Sequence, residues 1–228
     1  MTCRRLEFTH ILINMKNVIT IDGPSGSGKG TIAKLLAKKL DYSYLDTGAL
    51  YRAVAWKAKE EQVDIDNEDA LNNILIKIKI AFEDQRVMVH GQDISSEIRT
   101  AEIGELSSRV SAKPAVRSSL FNIQRDICLQ GRVVIEGRDT GTTIFPESEN
   151  KFYLDADVKE RARRRFEELK IKDPGITMEK TINDIKNRDF RDSTRESSPL
   201  TKTDDMVHVD STGMTIDEVV SFIQENLK

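Results

Sequence analysis

Short runs of β-branched and aliphatic residues alternate along the chain with longer stretches in which apolar positions return every three or four residues. That alternation predicts strands and helices in turn. The first run, residues 18–21, is a buried-strand pattern, and it leads into a helical pattern with Ile32, Leu35, Leu36 and Leu40 on one face. Residues 41–45 read as a second strand and residues 46–56 as a helix, with Asp46 or Thr47 placed to cap it. Residues 57–73 are charged and helical in tendency. Residues 74–82 fit helix or strand, residues 86–90 and Ile94 fit short strands, and 91–93 read as a turn between two of them. A helix over 101–112 and a longer one from Pro114 follow, the second with Val116, Leu120, Ile123 and Ile127 as its stripe and Gly131 as its stop; Arg117 lies off the stripe. Residues 133–135, 151–155 and 206–210 read as three further strands. Asp157 opens another helix, and Thr215 with Glu218 forms a capping box before a closing helix striped by Ile216, Val219, Val220, Ile223 and Leu227.

The break between the first strand and the first helix changes the picture from pattern to chemistry. It reads Gly23-Pro24-Ser25-Gly26-Ser27-Gly28-Lys29-Gly30-Thr31, with Gly23 and Gly28-Lys29 at the spacing G-x-x-x-x-G-K. Strand, glycine loop and helix in that order form the context of a phosphate-binding loop. Glycines let the backbone fold so that several N–H groups face phosphate oxygens, the helix start adds its positive end, and Lys29 reaches the β- and γ-phosphates. The strict pattern has a hydroxyl directly after the lysine. Here Gly30 stands there and Thr31 follows, an ending found in nucleoside monophosphate kinases of the adenylate kinase type.

The run 133–135 ends in Glu136-Gly137-Arg138-Asp139. In open parallel sheets ligands sit beyond the carboxyl ends of the strands, so these charges stand where chemistry occurs. A carboxylate there can hold magnesium through water. Thr47, Tyr51 and Arg52 share the start of a helix and form either an anion-binding corner or part of an ordinary amphipathic helix. Arg161, Arg163, Arg164 and Arg165 read as a solvated helical face. Arg188, Arg191 and Arg195 recur at i, i+3 and i+7 and share a face if helix continues that far, with Asp192 spaced to pair with Arg188.

Composition narrows the class. The 228 residues are 38% hydrophobic and 32% charged, with a net charge of −3, which gives no electrostatic case for nucleic acid or an anionic membrane. No apolar run approaches the roughly 18 residues of a membrane helix. Two cysteines, Cys3 and Cys128, lack metal-ligand spacing and suit a cytoplasmic protein. His10, His90 and His208 are scattered and read as surface or packing residues. Residues 1–14 carry no clean apolar core or small-residue cleavage site; they read as a disordered extension, with Met15 as an alternative start, and 15–228 as one domain.

Taken together, residues 19–31, 45–52, 98–100, 137–142 and 188–192 make the sequence resemble the bacterial cytidylate kinase family from about Asn17 to the C-terminus. The resemblance implies an α/β P-loop NTPase fold: a five-stranded parallel sheet with helices on both faces, a monophosphate-binding insertion near 63–99 and a helical lid near 157–197. It implies phosphorylation of CMP and dCMP by ATP with Mg2+, by a monomer without nucleic-acid or membrane partners. By position, Gly23, Ser25, Gly26, Ser27, Gly28, Lys29, Gly30 and Thr31 would hold the ATP phosphates. Thr31 and Glu136 would hold the metal, Glu136 through water. Ser25, Thr47, Tyr51, Arg52 and Arg138 would hold the monophosphate. Ser108, Arg117 and Asp139 would read cytosine, Arg188 and Asp192 would hold the sugar, and Arg195 would stand on the lid side near the phosphates; Lys29, Arg138 and Arg195 would be catalytic. Thr47 replaces a common serine and Glu136 stands where aspartate also occurs, and both keep the functional group. A kinase of another small acceptor such as shikimate, a slow GTP-hydrolysing switch and an inactive scaffold are the competing readings. The sequence lacks an Asn-Lys-x-Asp element for guanine.

Overall fold

The computed structural model describes residues 17–83, 86–128, 131–171 and 173–228; the expectations for residues 1–14 and for Met15 lie outside them. Strands β1 (Val18–Asp22), β2 (Ser43–Asp46), β6 (Val133–Gly137), β7 (Asn150–Asp155) and β8 (Val207–Asp210) form a parallel sheet in the order β2-β6-β1-β7-β8. Thr20 of β1 pairs with Ile135 on one side and with Lys151 on the other. β1 is buried along its whole length, as its unbroken apolar run requires of a central parallel strand.

Alternation along the strands feeds two cores. Ile19, Ile21, Val134, Phe152 and Leu154 meet Ile32 and Leu36 of α1 (Lys29–Leu40) and Val219, Val220 and Ile223 of α8 (Ile216–Glu225). Val18, Leu45, Val133 and Ile135 meet Ile144 and Phe145 on the opposite face. A third core joins α2 (Thr47–Glu60), α3 (Glu68–Lys77), α4 (Ala101–Val110) and α5 (Pro114–Ile127) to an antiparallel sheet of β3 (Ile80–Glu83), β4 (Arg86–Val89) and β5 (Gln92–Asp93). The helices α6 (Val158–Lys170) and α7 (Met178–Thr194) pack together as a hairpin.

Local chemistry accounts for most boundaries. Asp46 caps α2 by accepting from Ala49 N at 3.1 Å, and Thr215 and Glu218 form the capping box of α8. Residues 74–82 resolve into both alternatives, helix to Lys77 and strand from Ile80. The turn read at 91–93 falls one residue earlier. His90 and Gly91 carry φ of 51° and 83°, the pair that a two-residue hairpin turn needs, so Gln92 and Asp93 belong to the strand. Arg195 departs from the shared face read for Arg188 and Arg191, because α7 stops at Thr194 and Arg195 is extended, with φ −63° and ψ 143°.

Phe152 is fully buried in the core beneath α1 and α8. Phe152→Ala is expected to lower stability by about 3–5 kcal/mol. Urea unfolding checks this as a fall in midpoint with an unchanged slope.

Candidate active site

Three strands end at one place. Beyond the carboxyl ends of β1, β2 and β6 lies a cavity of about 370 Å³ in which cationic side chains outnumber carboxylates. The phosphate loop forms one wall. Gly28 caps α1 with φ 90°, a left-handed conformation that favours glycine, and a Cβ on Gly23 would stand 2.0 Å from Leu154 O. The unusual Gly30 also has a cause: a Cβ there would approach Glu136 Oε1 to 3.0 Å, so glycine leaves room for the carboxylate against the first turn of α1.

Lys29 is folded back on its own loop, where Nζ donates to Pro24 O at 2.6 Å and to Ser27 Oγ at 3.2 Å. Burial, and then the neighbouring Arg138 guanidinium, push its pKa down to about 7. Glu136 accepts from Tyr44 OH at 3.1 Å; burial and nearby Asp46 raise its pKa above the usual carboxylate range, opposed by Lys29 and Arg138. Thr47 donates its hydroxyl to Glu136 O at 2.8 Å, tying the start of α2 to the end of β6. Asp46 holds Arg52 at 3.5 Å and Arg99 at 3.0 Å. Burial alone would raise the Asp46 pKa, but the two guanidinium groups bring it below its ordinary value.

The far end of the cavity is built from Arg117, Asp139, Arg195 and Tyr51. Asp139 bonds Arg117 and accepts from Arg195 Nη2 at 3.2 Å, and the Arg117 guanidinium lies over the Tyr51 ring at 5.4 Å. Burial and then Asp139 raise the Tyr51 phenol to about 12. Arg117 Nε is buried with no hydrogen-bond partner. The turn that carries Asp139 is anchored from below. Asp22, fully buried at the end of β1, accepts from Thr140 N at 2.9 Å, Thr140 Oγ1 at 2.8 Å and Gly141 N at 2.8 Å.

Several expected placements change. Asp192 pairs with Arg138 Nε at 2.7 Å, across from another element, and not with Arg188 one helical turn away. Arg188 lines the cavity with Nε unpartnered; burial and then Arg138 lower its pKa to about 10. Arg195 stands beside Asp139 and Arg117 and lies 3.9 Å from Asp192 Oδ1, the carboxylate that holds Arg138. Arg188 is the one whose charge reaches Lys29, Arg138 and Arg52. Ser108 does not line the cavity: its hydroxyl accepts from Arg191 Nε at 3.2 Å, while Ser107 and Ser111 form the wall. Ser25, Gly26, Thr31, Thr47, Arg52, Gly137 and Arg138 line the cavity, Ser27 lines a second cavity, and Gly23 packs against Leu154.

Residues without an assigned role also converge there. Arg99 lies in the quoted segment 98–100, and Arg165 belongs to the arginine run read as a solvated face. A second cavity, also of about 370 Å³, opens behind the loop between Arg164 and an apolar wall of Ile32, Met214, Ile216 and Val219. Only the arginine run hinted at it. No helix among the described residues is long and apolar enough to cross a membrane.

The family model for cytidylate kinase matches residues 19–228. Similar proteins include the cytidylate kinase of Geobacter sp. (strain M21), 44% identical over 215 residues and covering 92% of each chain. That of Geobacter sulfurreducens is 44% identical over 207 residues, 89% of each chain. That of Pseudothermotoga lettingae is 45% identical over 206 residues, 90% of this chain and 92% of the other. With its phosphate loop, the Glu136–Asp139 corner and the Arg117–Asp139–Arg195 group meeting in one cavity, the chain belongs to the cytidylate kinase family.

Proposed function

We propose that the protein transfers the terminal phosphoryl group of ATP to the phosphate of CMP and dCMP, with the donor and acceptor entering the two cavities on either side of the phosphate loop. The observation that carries this reading is the cavity itself, in which Lys29 and Arg138 stand between the loop and a polar, base-sized end formed by Arg117, Asp139, Ser107 and Ser111.

The donor base fits the second cavity, between the apolar wall and Arg164. Its phosphates run along the N–H groups of residues 26–31 toward Lys29. The acceptor phosphate faces Ser25, Arg52, Arg138 and Arg188. Both reacting phosphates are anions, so bringing them into line requires cations on both sides, and positioning with charge neutralisation supplies most of the catalysis. Arg138 is well suited to the shared position. Burial works against its charge, but Asp192 keeps it protonated and fixes its Nε, leaving the far edge of the guanidinium for phosphate oxygens.

Glu136 and the Thr31 hydroxyl are hard oxygen donors beside the loop, and their chemistry fits Mg2+. These two residues would hold such a metal, and its charge would offset that of the donor phosphates. At the base end, Ser107 and Ser111 commit their hydroxyl protons to Gly104 O at 2.8 Å and Ser108 O at 2.9 Å, so lone pairs remain for the cavity. Those acceptors and Asp139 suit the exocyclic amine of cytosine, and Arg117 Nε suits a ring acceptor. The O4 of uracil would meet acceptors instead, which costs binding. Helices α6 and α7 form the roof that excludes water. A cytoplasmic monomer, with the buried Cys128 thiol raised to about 12 by burial and inert, completes the reading.

ADP release measured over a panel of CMP, dCMP, UMP, AMP, GMP and shikimate tests it: turnover with CMP and dCMP and weak turnover with UMP are expected, and turnover independent of the acceptor refutes it. Arg138→Ala is expected to lower kcat/KM by roughly 10² or more. Asp139→Ala is expected to erode the CMP-over-UMP preference, and equal selectivity in mutant and parent removes Asp139 from base reading. Lys29 gives a further signature. With a pKa of about 7 in the free protein it is mostly neutral at about pH 8, and a bound polyphosphate raises that value, so ATP binding takes up a proton there. Calorimetry in buffers of differing ionisation enthalpy is expected to show this uptake, and Lys29→Met to abolish it.

A further inference from the structure

The two roof helices grip the phosphate loop at a single residue, Ser25. Ser25 N–H donates to Asp189 Oδ1 on α7 at 2.8 Å, and Ser25 O accepts from Arg161 Nη1 on α6 at 2.8 Å. The same Nη1 bonds Asp189 Oδ2, so carboxylate, guanidinium and the Ser25 backbone close a ring. Arg161 is anchored in turn, with Nε donating to Ala156 O at 2.9 Å and lying 3.5 Å from Asp155 Oδ1 at the end of β7. The packing around the ring is tight. A Cβ on Gly26 would stand 3.0 Å from Arg161 O and 3.3 Å from Ile185 Cδ1. Arg161 is only 8% exposed, in a run that otherwise reads as a solvated face.

We propose that Asp189 and Arg161 are positioning residues for the acceptor phosphate, acting through Ser25 and Arg188. Ser25 is held by a carboxylate at its N–H and by a guanidinium at its carbonyl, so the peptides on either side of it are both fixed, and neither turns without breaking a charge-assisted bond. This withdraws the Ser25 N–H from the set facing the donor phosphates and fixes the backbone that carries the Ser25 side chain at the cavity wall. The same bond pins α7 one residue after Arg188, whose side chain lines the cavity with its Nε unpartnered. One acceptor contact on the loop and one on the roof are thereby held at a set separation before the ligand arrives, so less ordering is left to the binding step. The proposal rests on the reading of Ser25 and Arg188 as contacts of the acceptor phosphate.

Steady-state kinetics with CMP and ATP, together with thermal melts, on Asp189→Ala, Asp189→Asn, Ser25→Ala and the Ser25/Asp189 double alanine variant test it. Asp189→Ala is expected to raise KM for CMP roughly tenfold, with KM for ATP within about twofold of the parent. Asp189→Asn keeps a carbonyl oxygen for the Ser25 N–H and recovers most of that loss; it also carries the comparison if the alanine variant does not fold. Because Asp189 acts partly through Ser25, the double variant is expected to fall short of the product of the single effects. A normal KM for CMP in Asp189→Ala beside a raised one in Ser25→Ala overturns the clamp alone, as does full additivity in the double variant. A normal KM in Ser25→Ala overturns the reading of Ser25 and the clamp with it. A lowered melting temperature with unchanged KM and kcat assigns the ring to structure only and also overturns the proposal.

Discussion

Lys29, Arg52, Arg117, Arg138, Arg188 and Arg195 stand around one cavity of about 370 Å³ and repel one another across it. Without a ligand, burial adds to that repulsion, and its mark is the depressed pKa of Lys29 and of Arg188. Carboxylates set between the cations make the arrangement tenable. Asp46 lies between Arg52 and Arg99, Asp139 between Arg117 and Arg195, and Asp192 beside both Arg138 and Arg195. Each carboxylate holds its guanidinium groups in a fixed pose and leaves part of their donor edge for a substrate. Removing one would leave buried like charges facing each other, a larger cost than the loss of a surface pair.

This pairing requires the strand ends to be held in register. Asp22 does so at the centre of the sheet, where its carboxylate accepts three bonds from the start of the turn that carries Asp139. Thr47 does so at the edge, through its bond to Glu136 O. Space matters as much as bonding. Gly137 lies where a Cβ would stand 2.6 Å from Thr140 Cγ2 and 2.7 Å from Thr47 Oγ1, so β2, β6 and the following turn close together only over a glycine. Gly30 makes the corresponding room for Glu136, which gives the displaced hydroxyl of this loop a steric origin in its own neighbour.

The parts of this design that are local were legible in the sequence. The strands, the caps at Asp46 and Thr215 and the phosphate loop follow from residues close together in the chain, and short-range rules read them. The pairs of the site span 22, 54 and 56 residues, for Arg117–Asp139, Arg138–Asp192 and Arg195–Asp139, and no periodicity links such partners. Helical spacing therefore matched Asp192 to Arg188, its near neighbour, when its partner comes from another strand end. The helix stop at Thr194 turns Arg195 toward Asp139 and leaves Arg188 beside Arg138 and Arg52. In the arginine run, sign and spacing alone could not tell Arg161, held under the loop, from Arg163, paired with Glu160 at the surface.

The roof belongs to the same electrostatic scheme. Along α7 and its end, Asp189 holds the phosphate loop, Arg191 holds Glu105 at 2.7 and 2.8 Å together with Ser108, Asp192 holds Arg138, and Arg195 holds Asp139. One stretch of chain thus touches the loop, α4 and the groups that line the first cavity. A rigid lift of both roof helices would break all of these bonds together, including charges that are poorly hydrated where they stand. The stretch between Arg161 and Asp189 adds its own ties, since Arg164 donates to Ser211 Oγ at 3.1 Å and to Ser211 O at 2.9 Å. One wall of the second cavity, with Arg163, Arg164, Arg165 and Glu168, lies within that stretch. The physical consequence is a hairpin tied in two places: Arg161 and α7 hold the loop and the first cavity, and Arg164 holds the residue that follows β8.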